Sequence, residues 1–259
     1  MRMVGILCLV MASGIVQGRS GEESLAERLI KEDEKILTMR CDIRRETEVD
    51  GKRMTTLSRV WFERPDRLRV ETVMPDARRI VVDGTAIHKW IGGQAEGVRI
   101  PLAEAPEGDL VQVRKTPGTV DEHLLRLRGI AETELPPAEG FPVRRAYKPP
   151  EPHPYTVLSL DATGRLARLE FFEREDAGTR LLRTDFEGWR EVGPGMWIAC
   201  LQKTDARGRD GTKVVETLRV SGLAVNAPVE SSNFDVAVQA VGVRFLSSGE
   251  MAEVLQKKE

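Results

Sequence analysis

Catalysis and metal binding draw on a small set of side chains, and this 259-residue chain holds few of them in usable order. Its three histidines, His88, His123 and His153, lie far apart, and none has a second ligand at helical spacing, so no zinc site is implied. There is no nucleophile elbow, no CxxC pair, no phosphate loop and no GxGxxG. Asp205-Ala206-Arg207-Gly208-Arg209-Asp210-Gly211 has the outline of a calcium loop, but arginines stand where oxygen ligands are required, and a hairpin turn is the better reading. The chain is therefore expected not to be an enzyme and to need no metal or cofactor. With 39 basic and 41 acidic residues for a net charge of −2, it also offers no electrostatic footprint for nucleic acid. Of three cysteines, Cys8 falls in an apolar leader, while Cys41 and Cys200 fall in separate predicted strands. An oxidising compartment permits a disulfide between these two; a pair of buried thiols is the alternative, and the sequence leaves both open.

Alternation is what the chain holds in quantity. From Thr38, Met39, Cys41 and Ile43 alternate with Arg40, Asp42 and Arg44, the pattern of a sheet wet on one side. Asp50-Gly51 turns the chain, and Lys52 to Phe62 runs back. That strand stops at Arg64-Pro65, because proline lacks a backbone donor and restricts the residue before it. In the next strand Leu68, Val70, Thr72 and Met74 share one face, with Arg67, Arg69 and Glu71 on the other. Met74-Pro75-Asp76 breaks the pattern, and Arg79 to Val82 leads into Asp83-Gly84, read as a type I′ turn with positive φ at both central residues. Ala86 to Ile91 and Val98 to Leu102 follow. From Tyr155 come YTVLSLD, RLARLEFFERE, TRLLRTDFEGW, MWIACLQKTD and TKVVETLRVSGL, with turns roughly every ten to fifteen residues, which implies an antiparallel meander. The total is about eleven strands, mainly β with flanking helices.

Helices flank this array. Ser24-Leu25-Ala26-Glu27 is a capping box, and Leu25, Leu29 and Ile36 keep helical spacing. Between Pro101 and Pro154 the prolines crowd into EAPEGD, ELPPAEGFP and YKPPEPHP around one predicted helix, Val120 to Arg128. An insertion of this kind reads as a functional flap or mobile covering. Ser247-Ser248-Gly249-Glu250 opens a short C-terminal helix. At the other end, Met1-Arg2, the apolar run Met3 to Val16 and the small residues up to Gly18 read as a secretory signal peptide cut after Gly18. The run is shorter than the roughly 20 residues a membrane span takes. The expected division is a signal peptide at 1–18, an amphipathic helix at 19–37, one β domain at 38–236 with the covering insertion at 101–154, and a tail at 237–259.

The stretch FERPDRLRVE…MPDARRIVVDGTAIHKW resembles the LolA-like superfamily of periplasmic lipoprotein carriers, receptors and envelope-stress sensors of the RseB type. The ending, Asn226, a proline and Ser232-Asn233-Phe234-Asp235, is similar to how these proteins close, with Asn233-Phe234 pinning the last loop to the core. The resemblance implies an incomplete, half-open antiparallel β-barrel of about eleven strands, covered by helices and loops over 101–154. It implies a periplasmic monomer that shelters acyl chains of a lipid or lipoprotein, loaded by an inner-membrane ABC transporter and unloaded to an outer-membrane receptor. One departure is visible, because His88 and Lys89 follow the Asp-Gly turn where the family keeps aromatics. The implied cargo is therefore acyl chains in general.

Arg64 matches the family's arginine before the proline, which holds the covering helices shut through their backbone carbonyls. Its five donors and permanent charge suit that task; an edge-strand arginine paired with Glu63, Asp66 or solvent is the plain alternative. The candidates for the cavity wall are Val60, Phe62, Leu68, Val70, Ile80, Val82, Trp90, Leu169, Phe171, Phe186 and Ile198, each of which also suits an ordinary core. Burying a methylene is worth about 0.8 kcal/mol, so sheltering a sixteen-carbon chain gains on the order of 10 kcal/mol over water. A different reading stays open, in which the charged strands, such as ETEVDGKRMTTLSR, serve a non-transporting sensor or scaffold.

Overall fold

The computed structural model describes residues 23–119, 121–174, 178–208, 210–247 and 249–250, with backbone alone at 121–122. The signal peptide and its cut, Cys8, and most of the C-terminal helix lie outside the described residues. Of that helix the start is visible as a closed capping box, Ser247 Oγ accepting from the Glu250 amide and the Glu250 carboxylate from the Ser247 amide.

Helix α1 (Leu25–Glu34) opens the described chain with the expected capping box between Ser24 and Glu27. Then come β1 (Thr38–Val49), β2 (Lys52–Glu63), β3 (Arg67–Met74), β4 (Arg78–Asp83), β5 (Ala86–Ile91) and β6 (Glu96–Pro101). The covering helices are α2 (Glu107–Arg114) and α3 (Asp121–Leu125). Strands β7 (Glu132–Leu135), β8 (Val143–Tyr147), β9 (Tyr155–Leu160), β10 (Leu166–Phe172), β11 (Arg180–Gly193), β12 (Met196–Arg207) and β13 (Lys213–Val225) follow. The short helix α4 (Val236–Gln239) and β14 (Arg244–Leu246) end the described fold.

All 14 strands form one open sheet in the order β14-β6-β5-β4-β3-β2-β1-β13-β12-β11-β10-β9-β8-β7, antiparallel except for β14 on β6. The half-open barrel is as expected, with three more strands than the alternation showed. Two of them, β7 and β8, lie within the proline-rich stretch 101–154 and join the sheet. Prolines are tolerated beside edge strands, and their density hid the short alternations ETEL and VRRAY. These strands anchor α1: the Glu132 carboxylate accepts from the Leu25 amide at 2.8 Å, and the Tyr147 hydroxyl accepts from the Ala26 amide at 3.0 Å while donating to Glu132. Burial and the Glu132 contact push the Tyr147 phenol well above its ordinary pKa.

Asp50 and Gly51 both have positive φ, as a type I′ hairpin requires. The second Asp-Gly turn differs from expectation. Asp83 stays in β4 and only Gly84 is left-handed, because the Asp83 carboxylate takes the amides of Thr85 and Ala86 and the Thr85 hydroxyl, closing the turn from its side chain. Asn226, also at positive φ, spans the α1–β1 junction, accepting from the Leu37 amide and donating to the Lys35 carbonyl. Asn233 accepts from Arg69 at 3.1 Å and Phe234 is buried, so the closing loop is pinned as the pattern suggested.

The pleat sorts side chains into layers. Across β2 to β5, Val60, Val70, Ile80 and Lys89 stand in one row, and Phe62, Leu68, Val82 and Ile87 in the next, all on the concave face. A second core under α1 and α3 gathers Leu25, Ile30, Leu124, Tyr147, Leu158, Leu169 and Phe186. The convex face has its own small cluster, where Val81 and Trp90 are covered by Ala240 and Phe245 from the C-terminal segment. Gly97 makes room there: a Cβ would sit 2.8 Å from the Phe245 ring.

Candidate ligand cavity and its latch

Between the concave face and α2 lies a cleft of about 590 Å³, within the roughly 300–1,000 Å³ of ligand pockets. Its floor is the apolar row set by strand register, Val60, Leu68, Val70, Ile80, Ile87 and Leu218, with Leu169 across the barrel and Val113 of α2 above. Toward the hairpin tips the lining becomes hydroxylated: Ser58 meets Thr72 at 3.1 Å and Thr184 meets Thr204 at 2.9 Å, beside the Arg45–Glu216 pair. The floor of the cleft is apolar, and charged or polar groups stand both at the hairpin tips and under α2, where Lys89, Asp109, Gln112 and Lys115 join the lining.

Arg64 fastens the covered end. It follows β2 directly, and its guanidinium reaches across to the ends of α1 and α2. Nε donates to the Ile36 carbonyl (2.9 Å) just after α1, and Nη1 to the Arg114 carbonyl (3.2 Å) at the end of α2. Nη2 donates to the Asp33 carboxylate (2.9 Å) and the Thr116 hydroxyl (2.8 Å), which itself donates to Asp33 (2.7 Å). The side chains of Arg64 and Asp33 are 22% and 11% exposed, so these bonds work in a largely dry setting. Burial pushes the Asp33 carboxyl above its ordinary pKa, partly offset by the Thr116 hydroxyl and Arg64. Two further ties hold α2, Lys89 to Asp109 at 2.9 Å and Arg114 to Asp66 at 2.8 Å.

The eleven expected wall residues fall into four groups. Val60, Leu68, Val70, Ile80 and Leu169 line the cleft; Phe62 and Val82 are fully buried in the core beneath it. Phe171 packs against the second core, its ring 5.0 Å from His123, while Phe186 and Ile198 line a second chamber. Trp90 does not face the cleft. It lies on the convex side with its ring 5.7 Å from Phe245, because in β5 it is Ile87 and Lys89 that point inward. Sequence reasoning missed Lys89, which the same period of two would have placed inside, and missed Asp33 and Thr116, which carry no pattern.

The three histidines sit on separate elements: His88 on β5 against Phe245, His123 on α3, and His153 in the turn before β9. Among the described residues no group of three or more His, Cys, Asp or Glu side chains could hold a metal ion. Cys41 and Cys200 are free thiols. Strand β13 separates them, and two strand spacings of about 4.8 Å exceed the roughly 7 Å a disulfide can bridge. Burial pushes the Cys41 thiol up to about 12. Of the stretch 205–211, residues 205–207 belong to β12, and Asp210 accepts from the Thr212 amide in the turn to β13. No helix among the described residues is long and apolar enough to cross a membrane.

No family model and no curated protein matches the sequence. Solved structures do match the fold. A LolA superfamily protein from Nitrosomonas europaea aligns over 82% of this chain and 98% of its own, at 13% identity and TM-score 0.51. An outer membrane lipoprotein-sorting protein domain from Vibrio parahaemolyticus aligns over 82% and 96%, at 18% identity and TM-score 0.51. A DUF1329 family protein from Desulfovibrio piger aligns over 81% and 94%, at 12% identity and TM-score 0.52. At these identities the likeness is one of fold, and the fold is the LolA-type half-barrel.

Proposed function

Starting from a LolA-type half-barrel, we propose that this protein is a non-enzymatic periplasmic carrier that shelters acyl chains of a lipid or lipoprotein in the cleft under α2. The observation that carries the reading is a cleft of about 590 Å³ with an apolar floor, whose cover is tied by Arg64 to main-chain carbonyls and to Asp33 and Thr116, with two ion pairs beside it. Opening the cover breaks one bond to a backbone oxygen, at Arg114, together with the Thr116 side-chain bonds and the Lys89–Asp109 and Arg114–Asp66 pairs, and leaves the hydrogen bonds of the sheet in place. The predicted signal peptide supports export.

The energetics set the partners. Moving a sixteen-carbon chain from water into the cleft gains on the order of 10 kcal/mol, but moving it from a bilayer gains nearly nothing. Loading then needs an energised donor at the inner membrane, such as an ABC transporter, and unloading needs a tighter acceptor at the outer membrane. Purification of the protein from its own envelope, followed by native mass spectrometry and lipid extraction, tests the reading. Co-purifying acylated species support it; protein that is always empty and brings down a membrane regulator instead overturns it in favour of a sensor.

A further inference from the structure

Beyond the loop 116–119 lies a second chamber of about 340 Å³, walled by α1 and by the β9–β10 and β11–β12 turns. Gly118 and Thr119 line both chambers, so this loop is the partition between them. Gln202 holds it by donating to the Gly118 carbonyl, and Gly118 is left-handed with room for no Cβ beside Val220. The floor of the second chamber includes buried Phe186 and Ile198, and its wall includes Trp189 and Trp197.

The polar groups of this chamber are unbalanced. Arg28 and Arg165 stand in its lining, the latter with its guanidinium 3.5 Å over the Trp197 ring. The nearby acids have other hydrogen-bond partners, although Asp161 also attracts Arg165 electrostatically. Glu32 pairs with Lys35 at 2.7 Å, Asp33 belongs to the Arg64 latch, and Asp161 is turned onto Thr163 and the Arg165 amide. The buried Nε1–H of Trp189 also has no acceptor. Arg28 is exposed to water and Arg165 half-buried; guanidinium and indole nitrogens only donate, so the group that suits this set is one that only accepts.

We propose that the second chamber is a separate binding site for an anionic amphiphile, with a carboxylate or phosphate head between Arg28 and Arg165 and an apolar chain running past Trp197 onto Phe186 and Ile198. The proposal rests on the carrier reading and extends it: the protein holds two ligands, and only the second is chosen by charge. A guanidinium recognises carboxylate or phosphate through parallel hydrogen bonds, whereas a neutral alcohol offers it little.

Native mass spectrometry of the leaderless protein titrated with palmitate, hexadecyl phosphate and hexadecanol tests this. The expected result is two anionic ligands per chain and one hexadecanol, and whichever anion binds tighter identifies the head. Arg28→Gln with Arg165→Gln should weaken the second anion at least about tenfold and leave the first unchanged. Val70→Glu should remove the first and spare the second. A single bound palmitate lost in V70E, a second anion indifferent to the arginine pair, or two bound hexadecanols would overturn the second site while leaving the carrier intact. No binding of any of the three would bring down the carrier reading as well.

Discussion

Replacing Arg64 by Leu should open the cover without unfolding the sheet. The substitution removes donors to the Ile36 and Arg114 carbonyls, to Asp33 and to Thr116, and leaves a mostly buried Asp33 without its cation. Net bonds of about 0.5–1.5 kcal/mol each, with the loss of a largely buried pair, amount to about 3–5 kcal/mol. The loss should fall unevenly. Helix α1 keeps Leu25, Ala26 and Ile30 in the core and its ties to Glu132 and Tyr147, whereas Val113 is the buried residue of α2. The part that opens is therefore 105–119. In hydrogen exchange, a drop of about 3 kcal/mol in local opening energy speeds the amides of Leu110, Lys115 and Thr119 about a hundredfold, with the strand amides little changed. Release of a bound fluorescent fatty acid to acceptor vesicles should change in parallel. Unchanged exchange over 105–119 with unchanged release would refute the latch, and global loss of protection would show that Arg64 serves the fold instead.

Trp90→Ala should cost about 3–5 kcal/mol of stability, since the ring is buried under Phe245, yet leave acyl binding unchanged; denaturant midpoints and probe affinity separate the two. Ile80→Trp should do the reverse, crowding the cleft and weakening probe binding at least several-fold at a modest stability cost. Native alkylation followed by mass mapping should leave Cys41 unmodified, and unfolding without reductant should expose both Cys41 and Cys200; a disulfide-linked peptide would contradict the strand spacing. Because burial raises the Asp33 pKa, the folded state keeps that proton to higher pH than the unfolded chain. Stability relative to Asp33→Asn should then fall as pH rises from the ordinary carboxylate range through the folded pKa, and a difference that grows over that window in urea titrations would reverse the sign.

The β framework was legible because alternation is a local signal: Leu68, Val70 and Thr72 declare their face within one strand, and register then carries the row to Val60 and Ile80. The same signal, followed strictly, puts Ile87 and Lys89 of β5 on the inner face and Trp90 outside. Strands β7 and β8 were hidden by prolines, and β14 by its length of three residues. Arg64 was found through resemblance to a family pattern, and its partners could not be, because Asp33 and Thr116 meet it only once α1, β2 and the loop after α2 are packed together. The division of the cavity into two chambers depends on Gly118 and Thr119, which look like any turn.

The central claim is that an acyl chain lies inside the half-barrel, and site-mapped photocrosslinking tests it most directly. A sixteen-carbon fatty acid carrying a diazirine near its methyl end, bound to the leaderless protein and irradiated, should leave adducts on cleft residues such as Val70, Ile80, Val113 and Leu169. Adducts confined to the convex face, around Trp61 and Trp90, or saturable binding with no adduct in the cleft, would contradict it.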